Sequence, residues 1–264
     1  MTGQVQLATD GPIAMVTLSH PGKLNAMSRA MWLALREVFT GLQQRSDVGC
    51  VLLRGEGASF CAGGDISEYP GFRFEEAALR HFHENEVWGG LQAMLDCDIP
   101  VVAQIEGACM GAGMEIASCC DLRLAGVSAK FGAPIAKLGF PMAPREAALV
   151  MRAAGELTAR EMLLAAAVLD AATLLQRGFL NAMFPDGEVA PQASLAAGRI
   201  ARLAPAAARL NKQTFRALAQ EGRAQSATDL IANVYAYADS AEHREGVTAF
   251  VEKRPPQFQS AGDL

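Results

Sequence analysis

Short apolar runs and helical repeats take turns along the first half of the chain. Val5–Ala8 and Ile13–Leu18 read as two strands around Asp10-Gly11-Pro12, a hairpin with turn-forming residues at its tip. Ser28 is placed to cap a helix reaching about Gln44, with Met31, Leu35, Val38 and Leu42 on one face. A strand over 51–54 follows, then a helix over about 75–96. Its apolar face carries Leu79, Phe82, Val87 and Leu91, and its polar face Arg80, His83 and Glu84. A strand over 101–105, a helix through Glu115–Ser118 and a strand over 122–125 complete the series. Near-continuous apolar strands alternating with helices predict an α/β fold with buried parallel pairing.

The second half changes period. Thr158-Ala159-Arg160-Glu161 has the form of a capping box opening a helix. Asp170 is set to cap the next helix, and Gly178 to end it. Helices are then expected over 188–203, 205–220, 226–238 and 240–253, the last started by Asp239 with Glu242. After Arg254 a Pro255-Pro256 pair predicts an irregular tail. The pattern divides the chain into an α/β core over residues 1–190 and a helical region over 191–264.

Composition narrows the class. The 264 residues are 51% hydrophobic and 19% charged, enough for one large domain with an appended helical piece. A net charge of −5 without a basic stripe argues against nucleic acid or a membrane surface as partner. Met1-Thr2-Gly3-Gln4 lacks the features of a signal peptide, and no apolar run reaches spanning length, so a cytoplasmic location is expected. The cysteines at 50, 61, 97, 109, 119 and 120 lack metal-ligand spacing and read as reduced, buried thiols; no metal site is expected.

Two glycine-rich turns carry the candidate chemistry. Phe60-Cys61-Ala62-Gly63-Gly64-Asp65 follows the strand at 51–54, and Gly111-Ala112-Gly113-Met114-Glu115 follows the strand at 101–105. Turns without side chains let amide N–H groups approach a ligand, and two at neighbouring strand ends can aim at one oxygen. Glycine at 64 suits a backbone conformation that side chains disfavour. The second turn adds a carboxylate, Glu115, at a helix start. A dinucleotide reading of Gly111-x-Gly113 fails because Ile116 occupies the third small position and Asp121 is too near for a ribose contact. A phosphate-binding P-loop fails because no Gly-Lys-Ser/Thr occurs.

The paired turns resemble those of the crotonase, or enoyl-CoA hydratase/isomerase, superfamily, and the likeness covers nearly the whole chain. Pro21–Ala26, Phe60–Ile66, Ile99–Gly107 with Gly111–Ala117 and Cys120-Asp121, and Glu245–Arg254 match its segments in order. The resemblance implies a spiral of ββα units with a C-terminal helical region that mediates assembly into a trimer or a dimer of trimers. It implies an acyl-CoA thioester as substrate, with coenzyme A entering as part of it and no separate cofactor. By the same resemblance the N–H groups of Gly64 and Ala112 hold the thioester oxygen, and Glu115 matches the first of two glutamates that handle water. Lys23, Ala26, Ala62, Asp65, Ile66, Gly111, Phe250 and Lys253 fall at coenzyme-A-contacting positions, the last two reaching a neighbouring subunit.

The chain departs from that pattern after Pro134. The second glutamate is expected next, and the residue there is Ile135, which can neither transfer a proton nor hold a water. The stretch from Phe140 to Glu146 is about one residue short, and the position of the dehalogenases' nucleophilic aspartate is Ala143. Glu68, His81, His83, Arg145 and Glu146 are the groups able to compensate. His81 and His83, two apart on a helix, do not share a face and do not form a metal pair. Glu84 and Glu86 are expected on a solvated face. Hydration, isomerisation, decarboxylation and thioester hydrolysis all use the same enolate-stabilising half, and an acyl-CoA binder without chemistry stands beside them.

Overall fold

A computed structural model describes residues 2–219 and 240–258 of the chain. The helix expected over 226–238 lies outside the described residues, as does Asp239. Strands β1 (Gln4–Asp10) and β2 (Ile13–Ser19) form the expected antiparallel hairpin. Ser28 caps helix α1 (Arg29–Gln43) by accepting from the Met31 amide. Strands β3 (Cys50–Gly55), β4 (Val101–Ile105), β6 (Leu122–Gly126) and β9 (Ala182–Phe184) then join β2 in parallel, giving a six-stranded sheet in the order β1-β2-β3-β4-β6-β9. A smaller sheet contains β5 (Ala108–Met110), β7 (Lys130–Gly132) and β8 (Val168–Asp170).

Alternation along the strands explains why they read as unbroken apolar runs. Val51, Leu53, Val101 and Ala103 face the main core with Trp32, Leu35 and Phe39 of α1. Cys50, Leu52 and Val102 face the opposite side, where Ala193 and Ala197 of helix α8 (Val189–Ala201) cover them. Both faces of these central strands are covered, so their positions are nearly all apolar. Each fully buried large side chain contributes roughly 1.5–3 kcal/mol. All six cysteines lie in these buried layers without a disulfide.

Between β3 and β4 the chain forms one helical stretch: α2 (Glu76–His81), a π-helical turn (Phe82–Val87) and α3 (Trp88–Asp96). The wide turn inserts a residue and shifts the phase of everything after it. Glu86 is consequently buried, not solvated as its spacing predicts, and its carboxylate takes the guanidinium of Arg29, with Nε donating at 2.8 Å. Glu84 is exposed as expected.

Further on, α4 (Ala112–Cys119) follows β5, and α5 (Pro144–Ala154) is followed at once by α6 (Glu156–Leu164). The capping box expected at Thr158 is not formed. The left-handed Gly155, at φ +84°, breaks the chain between the helices, and Thr158 is buried inside α6. Asp170 caps α7 (Ala171–Gln176) by accepting from the Thr173 amide at 2.8 Å, and Gly178 at φ +80° follows its end. Helix α9 (Pro205–Leu218) is tied to the core through Lys212 on Asp121 and Arg216 on Asp98. The last described helix is α10 (Ala241–Val251), where Ser240 Oγ accepts from the His243 amide.

Candidate active site

Main-chain hydrogen bonds fasten the two glycine turns together. The Cys61 amide donates to the Ala108 carbonyl at 2.8 Å, and the Met110 amide to the Cys61 carbonyl at 2.9 Å. On its other side the first turn is held by Met27, whose amide donates to Gly63 O and whose carbonyl accepts from the Asp65 amide. The approach is close enough to require glycine at 113, where a Cβ would come within 2.6 Å of the Cys61 carbonyl oxygen. Gly111 takes φ +47° to turn the chain into α4.

The left-handed residue of the first turn is Gly63, at φ +117°, and not Gly64 as the sequence suggests. What restricts Gly64 is the Tyr69 hydroxyl, which a Cβ there would overlap. Among the described residues no acceptor takes the N–H of Gly64 or that of Ala112, the first residue of α4. Both border one cavity of about 320 Å³.

Glu115 lines that cavity one helical turn into α4. No described group hydrogen-bonds to its carboxyl. Burial in these apolar surroundings pushes its pKa up to about 8, and the nearby Glu146 carboxylate adds to the rise. Ile135 begins a 3₁₀ turn (Ile135–Leu138) and lines the same cavity, so position 135 contributes only apolar surface. Ala143 also lines it, with no nucleophile to offer.

A second polar group lies in the wall. His83, carried by the π-helical turn, borders both this cavity and a larger apolar one of about 970 Å³ that adjoins it. Its Nδ1 is 3.1 Å from Oε1 of Glu146, which is 2% exposed, and its Nε2 is 3.4 Å from Nη1 of Arg73. Arg73 stacks on Phe140 at 3.7 Å and on Tyr69 at 4.7 Å from the ring centroids. Burial pushes the Tyr69 phenol upward and lowers the Arg73 guanidinium.

The other candidate compensating groups fall elsewhere. Glu68 accepts from the Arg29 amide at 2.8 Å and serves the start of α1. His81 is exposed and reaches Asn85, and Arg145 is exposed and lies over Trp88. No sequence motif marks Tyr69 or Arg73. The only sequence signal for them is their place just after the first glycine turn.

Of the coenzyme-A positions, Ala62, Ile66 and Gly111 border the cavity. Lys23 and Asp65 meet as an ion pair at 2.6 Å, with Ser67 also accepting from the ammonium at 2.8 Å. The pair holds the Asp65 carboxyl below its usual range, with Ser67 helping, against the opposing effect of burial. Ala26 is buried, and its carbonyl lies 2.6 Å from His20 Nδ1. Leu24 and Asn25 have positive φ, held by Asn25 through the Glu56 and Ser59 carbonyls and the His20 amide. Lys253 is exposed beyond the end of α10 and does not border the cavity; Phe250 is on α10, its side chain outside the described part.

The chain is similar to known proteins over nearly its whole length. The family model for enoyl-CoA hydratase/isomerase matches residues 8–261. A probable enoyl-CoA hydratase of Mycobacterium bovis is 30% identical over 253 residues, covering 94% of this chain and 95% of that protein. A crotonyl-CoA hydratase of Syntrophomonas wolfei is 30% identical over 260 residues, covering 96% and 97%. The crystal structure of an enoyl-CoA hydratase/carnitine racemase from Magnetospirillum magneticum superimposes with a TM-score of 0.92 at 33% identity, covering 98% of this chain and 97% of that one. With the crotonase fold, the paired glycine turns and a match over nearly its full length, the chain belongs to the enoyl-CoA hydratase/isomerase family of enzymes.

Proposed function

We propose that the chain binds an acyl-CoA thioester and catalyses a reaction through its enolate, with hydration of an enoyl-CoA as the reaction. The amides of Gly64 and Ala112 are the oxyanion donors, and Glu115 is the acid/base. One observation carries this reading: two amide donors without an acceptor border the same small cavity as a carboxyl group raised to about 8. An enolate puts negative charge on the thioester oxygen, and fixed donors in a dry site stabilise it, each worth about 10²–10³ in rate. The start of α4 adds the positive end of its dipole.

The Lys23 loop, Ala62 and Ile66 would contact coenzyme A, with Lys23 leaving Asp65 for a phosphate. The exposed apolar side chains Leu195, Leu203, Phe215 and Leu218 on α8, α9 and the link between them suit contacts between copies, in keeping with trimers built through the C-terminal helices.

Deuterium uptake at Cα of butyryl-CoA in deuterated water tests the core of the reading. At pH 9, where Glu115 is a carboxylate, the wild-type protein should catalyse exchange. Glu115→Gln should slow it by about 10²–10⁴-fold with affinity for the thioester within about threefold. A wild-type protein that binds the thioester without exchange would be an acyl-CoA binder, and unchanged exchange in the variant would remove Glu115 from the mechanism.

A further inference from the structure

Hydration needs two proton movements, and Ile135 leaves the cavity with one carboxyl group. The wall supplies another titratable group. A carboxylate only accepts, so the 3.1 Å contact with Glu146 fixes the proton of His83 on Nδ1 and leaves a lone pair on Nε2. A buried carboxylate holding one imidazole nitrogen so that the other can act as base is the arrangement used in serine hydrolases. Arg73 approaches the Nε2 side only loosely, at 3.4 Å. The other charged or titratable groups around the histidine are Glu115, Tyr69 and Lys137 in the cavity wall, Arg145 on α5, and Glu76, Arg80 and Glu84 on its own helical stretch.

Resting on the enolate reading above, we propose that His83 is the second acid/base of this site, positioned by Glu146, and performs the proton transfer for which position 135 has no group. In hydration of a 2-enoyl thioester, Nε2 of His83 takes a proton from the water whose oxygen bonds to Cβ. The double-bond electron pair moves onto the thioester oxygen and returns to form the Cα–H bond with the proton of Glu115. Over the cycle one O–H bond of water and the π bond of the alkene break, one O–C and one C–H bond form, and water is the only co-reactant. The imidazolium then returns its proton to Glu115 through the cavity. Glu115, raised to about 8, is in its acid form at neutral pH and is ready for its share. Both groups border the one cavity, one offering a proton and the other a lone pair, which gives the acid and base assignments.

The test follows hydration of crotonyl-CoA by loss of its enoyl absorbance, beside α-deuterium exchange of butyryl-CoA at pH 9. His83→Gln should lower kcat for hydration by about 10²–10⁴-fold, with KM and exchange each within about threefold of wild type. Added imidazole should restore part of the hydration by His83→Ala. Glu146→Gln removes the anion that favours the imidazolium, so the acid limb of the pH profile should move to lower pH. Hydration by His83→Gln within about threefold of wild type, or parallel loss of hydration and exchange, would overturn the inference. A wild-type protein that exchanges but hydrates no enoyl-CoA would overturn it too, leaving the enolate reading standing. A wild-type protein that does neither would remove both.

Discussion

Glu115 ties the candidate site to the stability of the fold, in a way that needs no substrate to measure. Its carboxyl moves from 4.5 to about 8 on folding, chiefly through burial and secondarily through the Glu146 carboxylate. A raised carboxyl means that the folded protein holds a proton the unfolded chain has lost, so stability falls as pH rises from 4.5 to about 8. At about 1.4 kcal/mol per pH unit the ceiling is about 5 kcal/mol, of which about 3 kcal/mol falls between pH 5.5 and 9. Glu115 keeps partial exposure where it borders the cavity, so screening lowers this and about 2 kcal/mol is expected. Glu115→Gln has no proton to lose. Urea unfolding of both proteins at pH 5.5 and pH 9, at one protein concentration, gives the double difference. Glutamine should gain on the native residue by about 2 kcal/mol at the higher pH, whatever its offset at the lower. A double difference below about 0.5 kcal/mol, or one favouring the native residue at pH 9, would show that the carboxyl is not held in its acid form.

Two further expectations concern the frame. Gly113→Ala pushes a methyl to within 2.6 Å of the Cys61 carbonyl oxygen, so it should cost about 1–3 kcal/mol in urea unfolding and depress α-proton exchange by spreading the two turns apart. Arg29→Ala leaves the buried carboxylate of Glu86 with only the exposed His81 nearby, at 3.7 Å, and a loss of about 1–2 kcal/mol is expected from the same assay, against under 1 kcal/mol for a fully exposed pair.

The sequence carried the fold because the central strands β3 and β4 are buried on both faces, and a run such as Val101–Ile105 has no other stable environment. It carried the main-chain half of the site because Gly111 and Gly113 answer local geometric demands that only glycine meets. The side-chain half was less legible. A helical pattern of 3.6 residues per turn places His83 and Glu86 on an outer face, and the π-helical turn at Phe82–Val87 breaks that period without a marker in the residues themselves. Glu146 lies 63 positions from His83, on another helix, and no local spacing reports a contact of that range. Thr158 failed as a cap for the same reason, since Gly155 restarts the helix earlier and the core claims the threonine.

The two amides at Gly64 and Ala112 have a consequence for inheritance. They belong to the main chain, so a change of side chain leaves the donors in place: position 112 is already alanine, and alanine at 64 would meet the Tyr69 hydroxyl without removing the N–H. What descent must conserve is a gap, kept by the backbone bridge between Cys61 and Cys109 and by the lack of bulk at Gly113. Proline is the one coded residue that deletes such a donor outright, and Ala112, at the first position of its helix, is where proline fits best. Around that gap, side chains such as Ile135 and His83 can be exchanged and the chemistry can diverge while the two main-chain donors keep their places.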